Sequence, residues 1–169
     1  MPHPITCTRL SESACGRELH YALDTFAAIA VLALTPSDVD WNHLQHLFGH
    51  SRWRLERCRS MAEAREVLLT SCVPTVLCSA ALPDGDWKGL VEFLSDFRNP
   101  PRVIVISDRV DDRLWDSVVD VGGCDLLEKP LHPAELYHAV IDAWHGWNLD
   151  AARDHWQEPV VPAQLNRGE

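Results

Sequence analysis

The chain has 169 residues, 46% of them hydrophobic and 24% charged, which suits one well-buried domain with short extensions and excludes wholesale disorder. A formal charge of −10 works against a nucleic-acid or anionic-membrane surface, because phosphate binding draws its affinity from Lys and Arg. Six cysteines (Cys7, Cys15, Cys58, Cys72, Cys78, Cys124) show no CxxC pair and no zinc spacing, so reduced thiols in a cytoplasmic setting are expected, with neither a disulfide framework nor a metal knuckle.

Residues 1–27 read as an N-terminal extension with a turn or two of helix around Leu19, Leu23 and Phe26. The apolar stretch Phe26 to Leu34 is too short to span a bilayer and reads as a buried strand, with no export signal before it. Within it, Ile29 to Leu34 is apolar throughout, as a central parallel strand covered on both faces should be. Pro36 stops that strand, Ser37 or Asp38 can cap the next helix, and Trp41, Leu44, Leu47 and Phe48 fall on one helical face. Trp53 to Cys58 alternates Arg with apolar residues and suits an edge strand.

A helix over Ala62 to Leu69 follows, and then a third strand over Val73 to Ser79. Asp86 caps a helix with Trp87, Leu90, Val91 and Leu94 in its buried stripe, and Asn99-Pro100-Pro101 ends it. Val103 to Ile106 is the fourth strand. Asp111 to Val121 is helical, closed by Gly122-Gly123, where a left-handed cap costs little. Leu126-Leu127 forms a fifth strand, and Pro133 opens a last helix lined by Leu136, Tyr137, Val140, Ile141 and Trp144. Five β/α units with right-handed crossovers predict an α/β, flavodoxin-like fold: a five-stranded parallel sheet of order 2-1-3-4-5 with helices on both faces. Residues 28–147 hold this domain, and 148–169 hold the end of the last helix and a mobile tail.

Cys78-Ser79-Ala80-Ala81-Leu82-Pro83-Asp84-Gly85 after the third strand, Ser107 ending the fourth, the Gly-Gly turn, and Lys129-Pro130 ending the fifth occur in order. With these motifs, Ala28 to Trp147 resembles the receiver domain of two-component response regulators. The resemblance implies a bacterial phosphorelay signalling protein that works through protein partners. It also implies a phosphoryl site built from an acidic pair after strand one, an acceptor Asp after strand three, a Ser or Thr after strand four and the Lys before Pro. Here the acidic pair falls on Thr35 and Pro36 and the acceptor on Ser79, while Ser107 and Lys129 match.

Magnesium needs oxygen ligands and is normally held by carboxylates plus waters, so no metal or other cofactor is expected at those positions. A Ser hydroxyl without an adjacent base is a weak nucleophile, so the chain is expected to be a degenerate pseudo-receiver and not an enzyme. Asp38, Asp84 and Asp86 lie near the site in sequence; they either rebuild an acidic pocket or, as favoured, cap helices. Lys129, with no nearby carboxylate foreseen, is expected to be partly exposed, its ammonium meeting Ser79, a backbone carbonyl or water. Cys78 is read as a small buried hydrophobe in preference to a redox nucleophile.

The stretch after Trp147 is too short for an output module, which leaves a stand-alone, phosphorylation-independent interaction domain as the first reading. Its partner would be a signalling protein such as a histidine kinase, another receiver or a second copy of the chain. In receivers the fourth helix, fifth strand and fifth helix form the docking surface; here they supply Trp115, Val119, Leu126 and Tyr137, which Trp144 and Trp147 could extend. Two alternatives stand beside it: a Ser79 or Ser107 phosphosite written by a Ser/Thr kinase, and a small-molecule site at the carboxyl ends of the strands. Flavin or nucleotide binding is disfavoured, since Thr35-Pro36-Ser37 contains no Gly.

Overall fold

Alternation along each strand decides which side of the sheet a residue meets, and here both sides are apolar. The computed structural model describes residues 29–156, with side chains to residue 153; the N-terminal extension and the tail lie outside the described residues. In chain order the elements are β1 (Ala30–Leu34), α1 (Asp38–Phe48), β2 (Arg54–Cys58), α2 (Met61–Thr70), β3 (Thr75–Ser79), β4 (Ala81–Leu82), β5 (Gly85–Asp86), α3 (Trp87–Leu94), β6 (Arg102–Ser107), α4 (Asp112–Val121), β7 (Asp125–Glu128) and α5 (Pro133–Trp156). The main sheet is parallel and ordered β2-β1-β3-β6-β7. With the small β4–β5 hairpin set aside, this is the predicted 2-1-3-4-5 order.

Leu32, Leu34, Val76, Cys78, Val103 and Val105 pack on one face against Leu68 of α2, Trp87, Leu90 and Leu94 of α3, and Val118 of α4. Their neighbours Val31, Ala33, Leu77, Ile104 and Ile106 pack on the other face against Leu44, Leu47 and Phe48 of α1 and Leu136, Ala139, Val140 and Ala143 of α5. A strand buried on both faces has no polar side to alternate with, which is why β1, β3 and β6 read as continuous apolar runs. Each fully buried aliphatic side chain contributes about 1.5–3 kcal/mol relative to exposure.

Ser37 and Asp86 cap helices as the sequence marks, and Ser60 and Asp111 are found to do so as well. Ser37, Ser60, Asp86 and Asp111 accept hydrogen bonds from the backbone N–H groups of Asp40, Glu63, Gly89 and Leu114. At the end of α4, Gly122 takes φ +99°, and both Gly122 and Gly123 return their N–H groups to the Val118 carbonyl. A methyl on Gly123 would sit 2.5 Å from Val118 Cγ1.

One feature departs from the sequence reading and a second adds to it. Leu82-Pro83-Asp84-Gly85 is the tip of a two-residue antiparallel hairpin and not an open loop, with Ala81 opposite Asp86 and Leu82 opposite Gly85. The last helix runs to Trp156, and its later turns are fastened to the opposite end of the sheet. There Trp147 Nε1 donates to the Asn99 carbonyl (3.3 Å), Asn99 Nδ2 donates to the Trp147 carbonyl (3.4 Å), and Arg102 pairs with Asp150. None of the described helices is long and apolar enough to cross a membrane.

Candidate functional site

Odd-numbered residues of β1 and β3 face α1 and α5, and this parity carries Thr35 and Ser79 past the strand ends into the same space. A cavity of about 290 Å³ lies there, between the carboxyl ends of β1, β3 and β6, the first turns of α1 and the Lys129-Pro130-Leu131 segment. Thr35 and Ser79 are both buried, and Thr35 Oγ1 has no hydrogen-bond partner among the described residues. The Lys129–Pro130 peptide is cis.

Lys129 does not stand alone, contrary to the sequence expectation. Its Nζ lies 2.7 Å from Asp40 Oδ2 and 3.3 Å from Asp108 Oδ1. Burial works against the ammonium, but the hydrogen bonds and charges of Asp40 and Asp108 outweigh it and hold the Lys129 pKa above the ordinary lysine value. The side chain is 21% exposed, so the expectation of partial exposure holds while its stated reason does not. Asp40 comes from the first turn of α1, where its own N–H donates to Ser37 Oγ, and Asp108 follows the last residue of β6.

The three carboxylates singled out from the sequence go elsewhere. Asp38 Oδ1 accepts from Arg57 (2.7 Å) and Arg59 (3.0 Å), and the Arg57 hydrogen bond, followed by the charge of Arg59, holds its carboxyl below the usual carboxylate range. Asp84 accepts from the N–H groups of Met61 (2.8 Å) and Ala62 (3.1 Å), so the hairpin tip caps α2 across a gap in the chain. Asp86 caps α3. Asp84 and Asp86 thus serve helix ends, as the sequence favoured, while Asp38 serves an arginine pair that the sequence reading did not name.

Thr35 and Pro36, the positions of the acidic pair, are occupied differently. Arg57 donates Nε to the Thr35 carbonyl and Nη2 to the Pro36 carbonyl, both at 3.2 Å, so a guanidinium spans the backbone where the receiver family places anions. Ser107 donates to the Arg109 carbonyl (2.7 Å) and accepts from the Arg109 N–H (3.3 Å), so its hydroxyl is held in a local turn away from the cavity lining. The Cys78 thiol is buried, and burial pushes its pKa up to about 12, which keeps it protonated and unreactive at neutral pH.

The donor set does not fit a divalent cation. Thr35, Pro36 and Ser79 offer no carboxylate, Asp40 and Asp108 are engaged by Lys129, and the described residues contain no group of three metal-ligating side chains.

The proposed docking face is only partly assembled. Trp115 (46% exposed) and Val119 (58%) lie one turn apart on the outer side of α4. Leu126, by contrast, is buried in the core because its strand turns it toward α3 and α4. Tyr137 belongs to the other side of the sheet: its hydroxyl donates to the Leu47 carbonyl and its ring meets Trp53 at 5.3 Å and Phe48 at 6.4 Å. Trp147 is held by Asn99 and adds nothing to that face.

Asp40 lies a turn into α1, outside the strand-end positions to which the sequence motifs point. Its signal was available: positions 40, 44 and 47 share one helical face, and a carboxylate above two buried leucines needs a cationic partner across the interface.

No protein-family model matches the sequence, and no curated protein matches it. Solved structures do. The signal receiver domain of an HD domain-containing protein from Pseudomonas fluorescens Pf-5 superposes with a TM-score of 0.69 at 21% identity, covering 76% of this chain and 96% of that one. The receiver domain of a signal transduction histidine kinase from Syntrophus aciditrophicus gives 0.61 at 23% identity, covering 70% and 92%. The beryllofluoride-activated NtrC4 receiver domain dimer gives 0.65 at 18% identity, covering 70% and 98%. The fold of residues 29–156 is therefore that of signal receiver domains.

Proposed function

We propose that the chain is a receiver-like protein of two-component signalling that acts in the bacterial cytoplasm by binding another protein and not by accepting a phosphoryl group. One observation carries this reading: the lysine that would grip a phosphoryl oxygen is bound to Asp40 and Asp108, while positions 35, 36 and 79 supply no carboxylate. Such a site offers neither a metal anchor nor an activated nucleophile. A population shift driven by phosphate would then have no differential contact to act through.

Docking through the outer side of α4 is supported by Trp115 and Val119, which remain exposed while the apolar residues beneath them are buried. The partner is a histidine kinase, another receiver or a second copy of this chain; the similar NtrC4 receiver domain is described as a dimer. A kinase-written phosphosite has less support, since Ser79 is buried and the Ser107 hydroxyl is engaged.

The test is to add acetyl phosphate, or beryllofluoride, with Mg²⁺ to the full chain and follow intact mass and amide NMR spectra. No mass gain and no Mg²⁺-dependent shift is the expected result, for wild type and for Ser79→Asp alike. A saturable Mg²⁺-dependent shift, or labelling of the single mutant, overturns the reading.

A further inference from the structure

The cavity at the strand ends has a character of its own, apart from any partner surface. Its volume of about 290 Å³ sits at the lower edge of the roughly 300–1,000 Å³ of small-molecule sites, too small for a peptide segment. Leu44, Leu77, Ile106 and Leu131 give it apolar walls. At its mouth two carboxylates, Asp40 and Asp108, face the single ammonium of Lys129, which leaves one negative charge in excess within a protein already at −10.

Deeper in, Thr35 is 2% exposed and its hydroxyl has no hydrogen-bond partner among the described residues. Buried hydroxyls in folded proteins are nearly always satisfied, by protein, water or ligand. Ser79 lies on the same wall, and no described residue hydrogen-bonds its side chain.

We propose that this cavity binds a small amphipathic amine, its ammonium directed to Asp40 and Asp108, its body against the leucine and isoleucine walls, and a hydroxyl reaching Thr35 and Ser79. Anions are disfavoured because Lys129 is already engaged by two carboxylates. Magnesium is disfavoured because it would have to displace that ammonium and still lack a third ligand among the described residues. An organic ammonium needs neither, since it pairs with the surplus carboxylate charge while its carbon skeleton leaves water for the walls.

Three probes of one skeleton separate the contributions: tyramine, phenethylamine, which lacks the hydroxyl, and para-hydroxyphenylacetate, which replaces the cation by an anion. Each is titrated into the full chain by calorimetry and by amide NMR, with MgCl₂ as a fourth arm. Tyramine is expected to bind saturably with shifts at Thr35, Ser79 and Leu131, phenethylamine about three- to tenfold more weakly, and the carboxylate not at all. Asp108→Asn, whose side chain is 84% exposed and so not needed for folding, should weaken tyramine by about three- to tenfold. Thr35→Val should remove the difference between tyramine and phenethylamine.

Binding of the carboxylate as tightly as the amine, saturable Mg²⁺ binding at Asp40, tyramine affinity unmoved by Asp108→Asn, or only non-saturating shifts with every probe overturns the proposal. Beryllofluoride is not among these probes, so failure here and failure of the phosphoryl-inert reading register in separate experiments.

Discussion

Removing the Lys129 ammonium by Lys129→Gln, or the Asp40 charge by Asp40→Asn, should destabilise the fold through one shared contact. Loss of one partner from a buried pair costs about 3–5 kcal/mol, and from an exposed pair about 0–1 kcal/mol. With side chains 21% and 23% exposed and a 2.7 Å contact, this pair stands between those limits. We expect about 1–2 kcal/mol for each single mutant, roughly 3–8 °C in melting temperature. In the double-mutant cycle the coupling should be about 1 kcal/mol, because either substitution already forfeits the contact. Asp108→Asn should change stability by no more than about 0.5 kcal/mol, being exposed and farther away.

Urea unfolding followed by tryptophan fluorescence measures wild type, the three single mutants and the double mutant. The pair also has a pH signature: Lys129 has its pKa raised above 10.5, so its stabilisation is complete below that value and fades as pH climbs through the raised one. Wild type should therefore lose stability more steeply than Lys129→Gln at alkaline pH. Coupling below about 0.3 kcal/mol, with parallel alkaline profiles, would refute the idea that Asp40 and Lys129 join α1 to the end of β7.

Thr75→Val should stabilise the protein by about 1 kcal/mol in the same unfolding assay, because Thr75 Oγ1 is buried without a partner among the described residues and valine has nearly the same shape; a destabilised variant would show the hydroxyl to be satisfied. Gly123→Ala should cost about 1–3 kcal/mol through the forced approach to Val118, and a neutral outcome would mean that the α4 end relaxes freely. Hydrogen bonds from the Met61 N–H first, then from Ala62, depress the Asp84 pKa, so its stabilisation is present above the ordinary carboxylate value and lost as pH falls through the depressed one. Asp84→Asn should then flatten the acid limb of stability against pH, and an unaltered limb counts against the cap. Iodoacetamide at pH 8 should leave Cys58 and Cys78 unmodified in the native protein, their thiols being buried with pKa values near 12, and peptide mass mapping that finds either one alkylated contradicts that burial.

The architecture was legible because its signals are local or periodic. Apolar runs, Ser and Asp caps, the Gly-Gly turn and the Asn99-Pro100-Pro101 break place the five strands of the main sheet and the starts of α1 to α5 within a few residues, and short connections restrict the sheet to one order; the β4–β5 hairpin carried no such signal. The site was legible only as a set of substitutions. Thr35, Pro36 and Ser79 could be read as lacking carboxylates, but the residues that replaced their electrostatics come from other stretches: Asp40 lies 89 positions from Lys129, and Arg57 reaches back 22 positions to Thr35. Side-chain contacts across such separations depend on packing that periodicity does not encode. The docking face was only partly legible for a related reason, since strand parity buries Leu126 beneath α3 and α4 and helical phase carries Tyr137 to the other side of the sheet.

The guanidinium of Arg57 lying across the carbonyls of residues 35 and 36 makes this end of the sheet resistant to stepwise change. Aspartates introduced at 35 and 36 would meet a cation already committed to Asp38, and one introduced at 79 would compete with Asp40 for the same ammonium. Each such exchange taken singly would place an anion at a buried strand end without a cation of its own, and so should lower stability. Carboxylates could be accommodated there only by several exchanges at once, including release of Lys129 and Arg57.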